Sequence, residues 1–376
     1  MNRIIIIGGG IGGAATALAL NQVGLEFVVY ERTKALREVG AGIALWANAT
    51  HILKQLDVLE AAMQVGALMT NYQFNSQRGQ ELANVQVDGF ELPTLGIHRA
   101  ELHQLLWRNV PDEKFILGET FERFERREDR VHASFASGLT VAGEALIGAD
   151  GLRSRVRAAI LGHEPPIYQN FKTWRGLTDY IPKRYRSGYI QEFLGCGQGF
   201  GFMKLGKGTM YWYAAATAPE AEPDAVIGRK KELEMMYQDW FPAIPELIAA
   251  TDEANILTTD LYDRPPKKTW SQQNVTLLGD AAHPMLPTLG QGACTALEDA
   301  YVVARCLAEQ SDPSVAFQDY ESLRFPRTTT IVKQSLRSAR MGKMSNPFAV
   351  GIRNTFMKVM GAAINHSFKS LHAYRA

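Results

Sequence analysis

Three stretches of the chain carry glycine and aspartate at spacings suited to phosphate and sugar chemistry. The first is Gly8-Gly9-Gly10-Ile11-Gly12-Gly13. Gly8, Gly10 and Gly13 occupy the GxGxxG positions. There the first glycine permits a tight turn, the second lets a pyrophosphate approach the backbone, and the third lets a helix close on a strand. Glu31 follows at the distance expected of a carboxylate that accepts hydrogen bonds from an adenosine ribose. The second stretch is Gly148-Ala149-Asp150-Gly151-Leu152-Arg153-Ser154-Arg155-Val156-Arg157. The third runs from Val275 through Gly279-Asp280-Ala281-Ala282-His283-Pro284 to Pro287-Thr288-Leu289-Gly290-Gln291-Gly292. An aspartate at the carboxyl end of a strand can accept from polyol hydroxyls. A Gly-rich turn opening a helix can aim amide N–H groups at a ring that gains negative charge.

These residues need a scaffold. Arg3–Ile7 reads as a buried strand, Ala14–Val23 as a helix capped by Gly24, and Glu26–Tyr30 as a second strand. That βαβ opening implies a parallel sheet with a right-handed crossover. Asn48–Leu56 and Arg99–Arg108 read as helices, and Leu146–Gly148 and Asn274–Leu278 as further buried strands, with a helix around Ala293–Glu309. Between Tyr168 and Ala215 the chain becomes rich in Tyr, Phe, Trp and Gly, and Gly188–Leu194, Gln198–Leu205 and Thr209–Ala215 read as an antiparallel meander. The expected architecture is α/β: a discontinuous Rossmann-like nucleotide domain (1–165 and 266–310), an inserted β-sheet substrate domain (166–265) and a C-terminal helical segment (311–376).

Composition narrows the function classes. The 376 residues are 46% hydrophobic and 21% charged, which fits a globular chain and not a disordered one. Forty basic residues against thirty-nine acidic ones leave a net charge of +1, so no global charge points to nucleic acid. Cys196, Cys294 and Cys306 are far apart and form no zinc-ligand spacing, which argues against a metal site or a disulfide scaffold and for a reducing, cytoplasmic setting. The apolar runs are too short for a membrane helix, and the glycines at 8–13 interrupt any signal-like stretch.

The motifs together resemble the single-component FAD-dependent monooxygenases, the para-hydroxybenzoate-hydroxylase-like family. The likeness rests on GxGxxG with Glu31, on His98-Arg99-Ala100-Glu101-Leu102, on the Asp-Gly stretch 148–157 and on the Gly-Asp stretch 279–292. Gly40-Ala41-Gly42-Ile43 and Asn48-Ala49 are similar to the urate-hydroxylase-like and carotenoid-epoxidase-like branch. The resemblance implies an FAD site made of Gly8, Gly10, Gly12, Gly13, Glu31, Arg32, Gly42, Arg99, Asp150, Asp280, Gly290, Gln291, Gly292 and Ala293. In that reading Arg99 contacts FAD, Asp280 binds its ribityl chain, and the Asp150 motif serves FAD and NAD(P)H together. It also implies the reaction. NADPH or NADH reduces FAD, the reduced flavin takes O2, and a C4a-hydroperoxide hydroxylates or epoxidises an aromatic or apolar small molecule. Because the cofactor carries that chemistry, no catalytic side chain is expected. His283 is read as a packed histidine rather than a base.

On the aromatic sheet, Arg175, Phe202, Tyr211 and Tyr213 are the substrate candidates, with Phe200 as a further lining residue. Alternation places Tyr211 and Tyr213 on one face and Met210 and Trp212 on the other. Arg175 suits an anionic or phenolate oxygen, or a scaffold carboxylate. The urate-type members have an Asn before Gly176 and a basic residue near position 199; here Arg175 and Gly199 stand instead, which argues against urate.

Residues 322–376 hold ten basic side chains and no Asp or Glu. Ile352, Phe356, Val359 and Ala363 mark an apolar stripe at helical spacing. The preferred reading is a helical pair docked on an acidic body; contact with an anionic membrane surface is the alternative. Competing readings of the whole chain are an NAD-dependent dehydrogenase, another flavin oxidoreductase and a non-catalytic escort of the same fold.

Overall fold

The computed structural model describes residues 3–35 and 41–376; Gly40 lies outside them. The opening strand Ile4–Ile7 is wholly apolar and buried on both faces, as the centre of a parallel sheet requires. It lies in a six-stranded sheet whose order is Ser271–Gln272, Val275–Leu277, Ala145–Gly148, Ile4–Ile7, Phe27–Glu31, Phe115–Leu117. All the pairings are parallel except that of the outermost Ser271–Gln272. The strands that lead into Asp150 and Asp280 are therefore neighbours.

The helices, in chain order, are α1 (Ile11–Gln22), α2 (Ala47–Gln55), α3 (Leu59–Val65), α4 (Arg99–Arg108), α5 (Arg155–Leu161), α6 (Arg229–Tyr237), α7 (Ala243–Ala250), α8 (Gly292–Glu309), α9 (Pro313–Gly342), α10 (Pro347–Val359) and α11 (Gly361–His372). Nine residues of α1 are buried, spread around its circumference, because it is sandwiched between the sheet and α8. Small alanines and glycines allow that close approach.

A second, seven-stranded sheet has the order Leu257–Asp263, Ile167–Thr178, Met210–Ala216, Gln198–Lys204, Tyr189–Leu194, Asn71–Ser76, Glu81–Gln86. The expected meander is present. The sheet is not confined to 166–265, however: it takes two strands from 71–86, and Tyr189–Leu194 runs parallel to Asn71–Ser76.

The sheet's faces differ. Phe193, Phe200, Phe202, Trp212 and Trp174 form an apolar cluster with Leu233 and Tyr237 of α6 and Ile244, Leu247 and Ile248 of α7. Register places Tyr72, Ile190, Met203 and Tyr211 in one row of the opposite face, and Phe74, Glu192, Gly201, Tyr213 and Arg175 in the next. Phe200 and Phe202 thus belong to the helix-covered core and not to a pocket shared with Tyr211 and Tyr213. The alternation within each strand is regular; the phase between strands is set by register, which single-strand patterning does not reveal.

Candidate functional site

The glycine turn separates into residues that meet the protein and one that meets open space. Gly8 adopts φ +103, and a Cβ there would strike the Ala149 carbonyl oxygen at 2.5 Å. A Cβ on Gly13 would lie 1.9 Å from the Gly8 carbonyl oxygen, and one on Gly12 would lie 2.7 Å from Leu278 Cδ2. Around Gly10 nothing lies within 4 Å of the Cβ position. The start of α1 has no side-chain cap, so its amide N–H groups face that opening. Glu31 staples the turn: its carboxylate accepts from the Gly9 amide at 2.7 Å and the Thr33 amide at 2.9 Å. Each oxygen keeps a lone pair for a further donor. Arg32 next to it is exposed. His103 of α4, which the sequence reading did not single out, holds the Gly9 carbonyl oxygen at 2.5 Å through Nε2.

The two aspartates behave differently. Asp150 accepts from the Ser154 hydroxyl at 2.5 Å and from the Arg155 and Val156 amides at 2.8 and 3.2 Å, so its carboxylate caps α5. Asp280 accepts no hydrogen bond from the described residues and is exposed to the cleft. The cleft walls still limit its hydration and push its carboxyl above the usual range, against the opposing charges of His283 and Arg99. Arg99, at the start of α4, is exposed and close enough for its charge to act on both Asp280 and His103.

The turn before α8 is shaped by its neighbours. Gly290 has φ +61, and a Cβ there would come within 2.9 Å of the Trp46 indole nitrogen. Gln291 is fully buried and exchanges hydrogen bonds with Asn48, so its side chain belongs to the scaffold. A Cβ on Gly292 would meet nothing within 4 Å. Ala293 is half-buried beside it, and α8 has no side-chain cap. Behind this turn lies a buried charge network. Arg324 reaches Glu298 at 2.6 Å and Asp299 at 2.7 Å, Arg327 makes two 2.7 Å bonds to Glu298, and His283 Nε2 meets Asp299 at 2.5 Å. Burial opposes the Asp299 charge, but His283 and Arg324 outweigh it and hold the carboxyl below its ordinary value. His283 is thus a buried partner of a scaffold carboxylate.

Of the substrate candidates, Tyr211 lies against the FAD-side strand Gly42–Leu45: a Cβ on Gly42 would come within 2.5 Å of its ring. Tyr213 shares that sheet face and donates to Glu192 at 3.1 Å. Arg175 donates to Thr259 Oγ1 at 2.5 Å, within its own sheet. Phe202 is on the far face. Glu192 and Tyr72 were not foreseen; they became visible once register set the rows of this face.

The open spaces at Gly10 and Gly292, the uncapped starts of α1 and α8, the free Asp280 and the ribose-ready Glu31 fit an extended FAD. The comparisons agree. A family model described as FAD binding domain matches residues 1–335. Aurachin C monooxygenase/isomerase of Stigmatella aurantiaca is 37% identical over 366 residues, 96% of this chain and 94% of the relative. The chloroplastic zeaxanthin epoxidase of Solanum lycopersicum is 34% identical over 88% of this chain, which spans only 53% of that longer relative. The Klebsiella pneumoniae HpxO structure with FAD and uric acid has the same fold, with a TM-score of 0.92 at 24% identity over 99% of this chain and 97% of HpxO.

Proposed function

The chain belongs to the family of single-component FAD-dependent monooxygenases, and from that premise we propose that it uses NAD(P)H and O2 to oxygenate an aromatic or lipophilic small molecule. The observation that carries this reading is the pair of uncapped helix starts at Gly10 and Gln291, with a free Asp280 on the turn after the strand that leads to α8. The bound flavin supplies electron storage and oxygen activation. The protein's residues supply placement and charge. The α1 start and Gly10 would receive the pyrophosphate, Glu31 the adenosine ribose, and Asp280 the ribityl hydroxyls. The Gly292 and Ala293 amides at the positive end of α8 favour negative charge on the adjoining ring edge. Tyr211 against Gly42 and Trp46 against Gly290 would supply buried apolar surface beside the ring. The test is substrate-stimulated NAD(P)H consumption with product mass raised by one oxygen drawn from labelled O2. NAD(P)H consumption that no aromatic or isoprenoid compound stimulates would remove this reading and favour the escort.

The membrane alternative for the tail gains support from α10. The docked reading expects its apolar stripe to face the body. Instead Phe348, Ile352, Phe356 and Val359 are 79%, 56%, 54% and 76% exposed, while Val350, Arg353 and Met357 make the inward face. Arg353 is spent on the Gly195 and Met341 carbonyls, whereas Lys358 stays exposed beside the stripe. No helix of the described residues is long and apolar enough to cross a membrane. A surface helix of this kind would instead lie in an anionic lipid interface and admit a lipophilic substrate. Replacing Phe348, Ile352 and Phe356 by Ser should lower partitioning onto phosphatidylglycerol vesicles more than about tenfold, with the fold unchanged. Equal sedimentation of both proteins contradicts this reading.

A further inference from the structure

The sheet face turned toward the FAD domain carries the Glu192 carboxylate beside Tyr72, Phe74 and Tyr213. Two hydroxyls converge on it: Tyr72 and Tyr213 both donate to Oε2, Tyr213 at 3.1 Å. Among the described residues its other oxygen, Oε1, receives no hydrogen bond from a side chain or amide. The arrangement has a steric requirement. The Tyr213 ring crosses the neighbouring strand at Gly201, where a Cβ would lie 2.2 Å from Tyr213 Cζ. Any larger residue there would keep that hydroxyl from Glu192.

The cluster borders the flavin turn. The Tyr72 ring centroid is 5.7 Å from that of Trp46, and Trp46 in turn abuts Gly290. Phe368 of α11 closes the same corner, 4.9 Å from Trp46. Burial pushes the Glu192 carboxyl above its ordinary value, while the two tyrosine hydroxyls oppose that rise. With Oε2 held by two hydroxyls and Oε1 lacking a protein donor, the half-buried carboxylate can accept from a ligand that brings a donor. Hydrocarbon olefins offer no such donor. Phenols, lactams and indole-like rings do, and their flat bodies suit Trp46, Tyr72 and Phe368.

We propose that Glu192 is the polar anchor of the substrate pocket: its free oxygen accepts from a ring N–H or O–H, which selects a donor-bearing aromatic or heteroaromatic substrate. This rests on the monooxygenase reading for the reaction but not for the binding. Glu192 is a specificity-determining residue here, and no proton transfer is assigned to it.

The experiment uses two matched pairs, 2-naphthol with 2-methoxynaphthalene and indole with N-methylindole. Binding to the FAD-loaded protein is followed by flavin absorbance and, independently of flavin, by tryptophan fluorescence. The donor member of each pair should bind at least about tenfold more tightly, because the methylated one leaves Oε1 unmatched. In Glu192→Gln the tyrosines hold the amide oxygen and the NH2 turns to the pocket. The preference should then fall to within about threefold or invert, with FAD content unchanged. Tyr213→Phe should weaken binding of both members while retaining the preference. The proposal is overturned if no probe binds, if wild type treats the members of a pair alike, or if Glu192→Gln keeps the preference. A protein that shows the preference by fluorescence but oxidises no NAD(P)H would instead defeat the monooxygenase reading and leave the anchor intact.

Discussion

The turns that lead to α5 and α8 leave adjacent parallel strands, and each carries an aspartate, yet one is closed and the other open. At α5 the chain satisfies itself: Asp150 takes the Arg155 and Val156 amides, and Ser154 takes the Arg157 amide at 2.8 Å. At α8 it does not: Asp280 has no donor among the described residues, and no side chain caps the helix. The difference teaches where to look for a ligand. A chain able to cap one helix with two side chains from a five-residue turn leaves the other bare where a ligand can bind. The open turn is also the better buttressed one. Asn48 fixes Gln291, and the Glu298–Asp299 pair at the back of α8 is locked by Arg324, Arg327 and His283.

The largest effect should come from breaking that buttress. Arg324→Ala leaves Glu298 and Asp299 short of a fully buried partner and should cost about 3–5 kcal/mol in urea unfolding. The same network sets a pH dependence. Both acids are held below their ordinary values in the folded state, so the unfolded chain binds protons first. Their contribution is complete above the ordinary carboxylate range and drains away as pH falls below about 4.5, which acid unfolding monitored by circular dichroism will reveal. A stability flat down to about pH 2 would break this part of the comparison.

Next come the glycines. Gly13→Ala forces a methyl onto the Gly8 carbonyl and should lower stability by about 1–3 kcal/mol even without flavin. Gly10→Ala points into open space, so calorimetry of the stripped protein should give an unchanged Tm while FAD binds more weakly. If both variants lose stability alike, the division into closed and open positions fails.

The aspartates sharpen the comparison most finely. Asp280→Ala should keep the fold of the stripped protein and weaken FAD binding by about 10–100-fold, the value of hydrogen bonds to a charged acceptor. Asp150→Ala should cost about 1 kcal/mol as a lost cap and retain the yellow colour. Reversed outcomes would move the cofactor's contacts to the α5 turn.

The opening strand, α1, the strand that ends in Glu31 and α8 were legible because glycine spacing and apolar runs are local signals. Phe202 was misplaced because its environment depends on register with Trp212, across strands. Strands 71–76 and 81–86 joined the second sheet through non-local pairing, which no local pattern encodes. Gln291 looked like a ligand-facing residue by motif, but its side chain is claimed by Asn48, 243 positions away. The acid-free tail looked uniformly basic, yet Arg324 and Arg327 neutralise buried acids on α8 while α10 keeps its apolar stripe outward. Charge counting could not tell the two uses apart.

The central claim is that the open space at the starts of α1 and α8 holds FAD. Its most direct measurement is titration of FAD into the stripped protein, followed by quenching of flavin fluorescence. The account predicts one FAD per chain with micromolar or tighter affinity (about −8 kcal/mol or better), weakened by Asp280→Ala and not by Asp150→Ala. Unquenched flavin fluorescence throughout the titration would contradict it.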